Sequence, residues 1–134
     1  MKIVLDTNVL ISGLLSPYNP PGRILDLIVS GDITLLVDDR ILGEYREVCS
    51  RKKFGFAKKD IDPLLSFIES TAIHLIAKPL SFRLDDPDDD PFVEVAITGM
   101  ADALVTGNVK HFTPAQKEAV IKSPADFLSG FYHF

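Results

Sequence analysis

The stretch KIVLD, residues 2–6, runs through three consecutive aliphatic residues and stops on an aspartate. A half-exposed strand would alternate apolar and polar residues. A continuous run of β-branched residues and leucine suits a strand covered on both faces, as in a parallel sheet. Similar runs recur as ITLLV (33–37), AIHLIA (72–77) and DALVT (102–106), with a weaker AVI at 119–121. Helical patterns lie between them. PGRILDLIVSG (21–31) opens on Pro21 and Gly22 and stops at Gly31. DDRILGEYREVCSRK (38–52) puts Ile41, Leu42, Tyr45, Val48 and Cys49 on one face. KKDIDPLLSFIEST (58–71) and DPFVEVAITGM (90–100) follow, and SPADFL (123–128) starts with Ser123 before Pro124, a helix-start signal. Strands alternating with helices predict an α/β fold with a largely parallel sheet.

The chain has 134 residues, which suits a single domain over 1–134 with a core of its own. At 46% hydrophobic and 25% charged it reads as globular. Cys49 is the only cysteine, so no internal disulfide can form and a reducing compartment is expected. No apolar run is long enough to span a bilayer, and the run before Asp6 is too short for a signal-peptide core. These features predict a cytoplasmic protein with no membrane contact. The net charge of −5 argues at first against a nucleic-acid partner. That acidity is concentrated, however. LDDPDDDPFVEVA (84–96) carries Asp85, Asp86, Asp88, Asp89 and Asp90, and without these five the acids and bases balance. RKKFGFAKK (51–59) is locally basic with two interleaved phenylalanines. It reads first as a solvated helix end, and second as an edge that contacts phosphates.

In open α/β sheets, ligands sit beyond the carboxyl ends of the strands. Asp6, Thr7 and Asn8 fall at the end of the first run. Asp38 and Asp39 end the second and lead into the helix carrying Glu44, and Thr106, Gly107 and Asn108 end DALVT. Helix geometry chooses among the acids. Glu44 lies at the margin of the apolar stripe of 38–52 and can reach a cleft, whereas Glu47 points nearly opposite. Asp90 precedes Pro91, which predicts an N-cap outside the helix proper whose spare carboxylate capacity faces the cleft. Asp85, Asp86 and Asp88 read as solvated loop, and Asp89 is undecided. Three or four converging carboxylates require a cation. With almost no histidine or cysteine at these positions, oxygen ligands point to Mg²⁺ or Mn²⁺ rather than zinc. Such an ion with acids around it suits hydrolysis of a phosphodiester.

KIVLDTNVLISGLL, the acid in LGEYREV, DPDDDPFVEVA and ADALVTGN, in this order and spacing, resemble the PIN domain. The likeness is greatest to the toxin components of prokaryotic toxin–antitoxin pairs. It runs from Lys2 to about Leu128. The resemblance implies a three-layer α/β/α sandwich around a mainly parallel sheet of four or five strands. It also implies a metal-dependent ribonuclease acting on single-stranded RNA, frequent homodimerisation and, often, an antitoxin protein as partner. Carried over, Asp6, Glu44 and Asp90 take the first three acidic positions. The fourth is Asn108 where the family usually has aspartate; its carbonyl oxygen can face a metal or its waters but brings no charge. Asp6, Glu44, Asp90 and Asn108 are thus the expected metal and catalytic residues, with Thr7, Asn8 and Thr106 hydrogen-bonding behind them. Lys110 and His111 are candidates to touch phosphate, His111 reading first as a loop residue. Two rivals remain. One is a PIN-like module that binds RNA or protein with little or no cutting. The other is a receiver-like Mg²⁺-binding signalling domain, which would want adjacent acids where Leu5 precedes Asp6. The tail GFYHF (130–134) is a candidate partner or dimer contact, or else packs on its own domain.

Overall fold

The computed structural model of the protein describes residues 1–132. The apolar runs form β1 (Lys2–Leu5), β2 (Thr34–Val37), β3 (Ile73–His74), β4 (Ala103–Val105) and β5 (Ile121–Lys122). Every pairing is parallel, and the order across the sheet is β3-β2-β1-β4-β5. The helices are α1 (Thr7–Leu15), α2 (Pro20–Val29), α3 (Asp39–Cys49), α4 (Lys58–Thr71), α5 (Asp90–Thr98) and α6 (Pro124–Phe131). From β1 to β3 the chain steps one way across the sheet, then jumps back to β4. Right-handed crossovers therefore put α1 to α4 on one face and α5 on the other. α1 packs on α2 and α2 on α6, while α5 lies against β1, β2 and β4. The sheet is sandwiched as expected, and Ile3, Val4, Leu5, Leu104 and Val105 are fully buried in it. That is why these runs contain no alternation. The same strand order removes the receiver reading, because receivers run 2-1-3-4-5.

Two expectations are corrected. AIHLIA does not form a strand covered on both faces. β3 has only two residues, pairs with β2 alone at the sheet margin, and leaves Ile73 43% and Ile76 95% exposed. An edge strand has a neighbour on one side only, and after His74 the chain leaves the ladder, so the rest of the apolar run is not held in the sheet. The second correction concerns Asp90. It is not an N-cap. Asp86 caps a 3₁₀ turn at Pro87–Asp89 by accepting from the Asp88 N–H at 2.9 Å, and this turn runs straight into α5. Asp90 is helical, at φ −53° and ψ −46°. The continuous turn overrides the usual push of a residue before proline into extended backbone.

α3 buries Ile41, Leu42, Tyr45, Val48 and Cys49, as its periodicity predicts. Asp38 caps it, accepting from the Ile41 N–H at 3.0 Å. Tyr45 is fully buried, and its hydroxyl donates to the Leu5 carbonyl at 2.5 Å. This bond fastens the middle of α3 to the end of β1, one residue from Glu44 and one from Asp6. In the tail, Phe131 stacks on Phe127 with centroids 6.2 Å apart, and Arg23 lies over Tyr132 at 5.5 Å. The described part of GFYHF therefore packs on its own domain, while His133 and Phe134 lie outside the described residues. Tyr45→Phe leaves the Leu5 carbonyl buried without that donor. Thermal melts should show a loss of about 1–2 kcal/mol, and an unchanged midpoint would mean that packing alone seats α3.

Candidate active site

The strand order reverses direction between β1 and β4, so the crevice beyond their carboxyl ends is the natural ligand site of this sheet. Asp6 leaves β1 there with its N–H bonded to the Val105 carbonyl at 3.0 Å, and it is only 6% exposed. From the neighbouring strand the Thr106 hydroxyl donates to Asp6 Oδ2 at 2.7 Å, and the Asn108 N–H donates to the Thr106 hydroxyl at 3.1 Å. Thr7, buried at the start of α1, donates its hydroxyl to Glu44 Oε2. Glu44 is half-buried beside this pair, whereas Glu47 is exposed and paired with Arg51.

Burial pushes the Asp6 carboxyl above the usual carboxylate range. The Thr106 hydroxyl, the Thr7 N–H, the charge of His111 and the Asn8 N–H offset this in part. Asp89 is pushed up to about 6, by burial first and then by the charges of Asp6 and Asp86, with His111 opposing and Glu44 adding. Buried Tyr45 also feels both Asp6 and Glu44, and its phenol is held well above its ordinary value. Asp6, Glu44, Asp89 and His111 thus form one electrostatic neighbourhood. Asp90 belongs to another. Its carboxyl is raised by partial burial and by Glu94 and Asp86, and lowered by Arg40. Arg40 itself bridges Asp38 at 2.6 Å and Glu94 at 2.7 Å, and Glu94 also accepts from the Leu80 N–H at 3.1 Å.

Of the expected residues, the structure brings together Asp6, Thr7, Glu44 and Thr106. Asn8 is exposed on α1 and contributes a backbone N–H. The side chain of Asn108 is exposed, and its N–H supports Thr106. The charges of Asp6 and Glu44 bear on Asp89, whereas those of Glu94, Arg40 and Asp86 bear on Asp90. The sequence held a signal for this: Asp86 before Pro87 starts a turn four residues earlier than an Asp90 cap would. His111, read first as a loop residue, bears on both Asp6 and Asp89. The Asp38–Arg40–Glu94 network is not visible from spacing, since its members come from two separate helices.

Does this arrangement suit a divalent ion? Among the described residues no group of three or more His, Cys, Asp and Glu side chains is gathered tightly enough to hold a metal as it stands. The chemistry of the donors nevertheless fits. All are hard oxygens, and Asp89 Oδ2 is buried with no hydrogen-bond partner, as is Asp90 Oδ1 next to it. Glu44 Oε2 accepts the Thr7 hydroxyl, which satisfies one oxygen of that carboxylate.

The raised Asp89 pKa has a sign that can be tested without metal. Unfolded aspartate titrates near 3.9. Between about pH 4 and about 6 the folded protein holds the extra proton, so stability is full below this window and falls as pH rises through it. In EDTA, Asp89→Asn should melt above the wild type at pH 7, and the gap should close below about pH 4. Equal midpoints at pH 7 would place Asp89 in open solvent, away from Asp6 and Glu44.

With this geometry in place, comparison with known proteins fixes the family. The PIN domain profile matches residues 2–110. An uncharacterized protein of Methanocaldococcus jannaschii is 30% identical over 149 aligned positions, covering 100% of this chain and 94% of that protein. Among solved structures, a chain of VapBC2 from Rickettsia felis, bound to a DNA fragment from their promoter, superposes with a TM-score of 0.58. It is 18% identical, with 92% of this chain and 98% of that chain covered, a likeness of fold. A profile that begins at β1 and ends past Asn108 spans Asp6, Thr7, Glu44, Asp89 and Thr106 of the crevice, and the chain belongs to the PIN domain family.

Proposed function

We propose that residues 1–134 form one PIN-like domain that hydrolyses phosphodiester bonds of single-stranded RNA with Mg²⁺ or Mn²⁺. In this reading it is a cytoplasmic toxin that acts as a homodimer and is held by an antitoxin protein. The likeness to a VapBC2 chain supports the antitoxin partner. The observation that carries the enzymatic part is the mutual electrostatic influence of Asp6, Glu44 and Asp89 at the crevice beyond β1 and β4.

Three carboxylates in one crevice repel a phosphate, so an anionic substrate needs a cation there first. Asp6, Glu44 and Asp89 would hold it. When bound, such an ion activates water and stabilises charge on phosphate oxygens. The protein's own groups do the rest. Thr106 fixes the Asp6 carboxylate, and Thr7 orients Glu44 until that carboxylate is needed. His111 supplies positive character on the open side, where a phosphate arrives, with Lys110 beside it. Asp90, expected as the third ligand, is assigned instead to the neighbourhood of Arg40 and Glu94. Asn108 supplies a neutral amide at the rim.

One observation favours the second reading, a module that binds without cutting: Asn108 is exposed and uncharged at the position where the family usually has a fourth acid. Cleavage of a single-stranded RNA in Mn²⁺ and in EDTA separates the two. The wild type should cut only with metal. Asp6→Asn and Asp89→Asn should each lose about a hundredfold or more, as expected when several kcal/mol of charge stabilisation is removed. Asp90→Asn should stay close to wild type, and Asn108→Asp should bind Mn²⁺ more tightly by calorimetry. RNA binding with no cleavage in either metal would establish the binding module. Equal losses from Asp89→Asn and Asp90→Asn would reduce the acidic cluster to a general negative field.

A further inference from the structure

We infer that the basic turn following α3, residues 51–59, is the track for the single-stranded flank of the RNA that enters the crevice; this rests on the ribonuclease reading above. Four of its cations, Lys52, Lys53, Lys58 and Lys59, are exposed and make no ion pair among the described residues. Arg51 differs. It is clamped to Glu47 by two hydrogen bonds, at 3.2 and 2.8 Å, and its charge is felt together with that of Glu44. The run therefore begins within electrostatic reach of the acidic crevice. Cys49, the last residue of α3, follows Glu44 by five residues, about 7.5 Å at the helical rise, and the basic turn begins two residues further on. A strand whose phosphate lies at Glu44 needs only a short flank to reach these lysines.

The turn is built rather than loose. Lys52–Phe54 form a single 3₁₀ turn, and Gly55 takes the left-handed conformation at φ 66°. That conformation folds Phe56 back onto Phe54. The rings stack with centroids 5.7 Å apart and 15° between planes, half-buried against the core, with the Lys53 ammonium 5.1 Å from the Phe54 ring centre. Unpaired bases have open faces for such rings, whereas a duplex hides them. The rest of the chain makes position matter. The net charge of −5 is concentrated in the five aspartates of the loop before α5, and that side of the molecule repels a polyanion. The unpaired lysines beyond α3 outnumber the acids beside them, Asp60 and Asp62, and form a locally basic approach.

Lys→Gln substitutions at 52, 53, 58 and 59 remove no ion pair and should leave the melting midpoint unchanged. Binding of a fluorescent single-stranded RNA is measured in EDTA against NaCl concentration. The quadruple variant should flatten the slope of log K against log salt by about 0.7 per lysine that contacts phosphate. With Mn²⁺ it should raise KM and leave kcat alone, since no lysine here touches the reacting phosphate. Lys78→Gln and Lys117→Gln, exposed lysines elsewhere, should change neither. If the wild type binds and cuts RNA while the quadruple variant keeps its slope, the track is wrong and the ribonuclease reading stands. A wild type that neither binds nor cuts RNA overturns both. Equally tight binding of duplex DNA through the same lysines would make the turn a general polyanion surface and overturn the single-strand assignment.

Discussion

A carboxylate buried at the end of a central parallel strand is the constraint on which this structure turns. Asp6 emerges from β1 between two other strands, where little water reaches it. An ionised group in that position is costly unless its oxygens are satisfied. The Thr106 hydroxyl from β4 answers one oxygen, and N–H groups at the start of α1 and the charge of His111 favour the ionised form. Each of these partners is delivered by topology. β4 lies beside β1 only because the chain jumps back across the sheet after β3. The same jump opens the crevice. The fold does not merely carry the site; the strand order that makes the sheet also supplies the groups that make Asp6 tolerable.

The second acid depends on the first through a single hydrogen bond. Tyr45 ties α3 to the carbonyl of Leu5, and that fixes the rotation of α3 about its axis. Glu44, adjacent on the helix, then has one place to go, against Thr7. The third acid follows from the loop before α5. Asp86 starts a turn that continues into the helix, so Asp89 falls on the side facing Asp6 while Asp90 turns towards Arg40 and Glu94. Like charges are kept apart by Thr7, by Thr106 and by a proton that Asp89 holds up to about pH 6. A bound cation would replace that proton, which couples metal affinity to pH in the direction that favours binding as pH rises.

Much of this was legible in the sequence. The uninterrupted runs KIVLD and DALVT gave buried parallel strands because both of their faces are covered. The 3.6-residue stripe of α3 set Glu44 apart from Glu47. What failed did so for definite reasons. AIHLIA looks like a central strand because composition does not reveal that a strand lies at the edge. Asp90 looks like a cap because the pre-proline rule is local, and the 3₁₀ turn from Pro87 overrides it. In both cases a neighbouring element, invisible to a short window of sequence, decided the outcome. His111 and the Arg40 network are harder still, since their significance lies in partners many residues away.

Asn108 can now be separated from the backbone that carries it. The bond that matters to Asp6 runs from the residue 108 N–H to the Thr106 hydroxyl, which then directs its own proton to Asp6 Oδ2. Any residue but proline supplies that N–H. The relay is thus indifferent to the side chain, and a change from acid to amide at this position leaves the support of Asp6 intact. What it alters is the charge of the crevice. Asp89 already retains a proton up to about pH 6 with Asp6, Glu44 and Asp86 around it, and a fourth carboxylate at the rim would push it further in the same direction. An asparagine keeps the rim polar without adding to that repulsion. The departure at residue 108 therefore costs little in architecture, and its consequence is confined to how strongly the crevice attracts a cation.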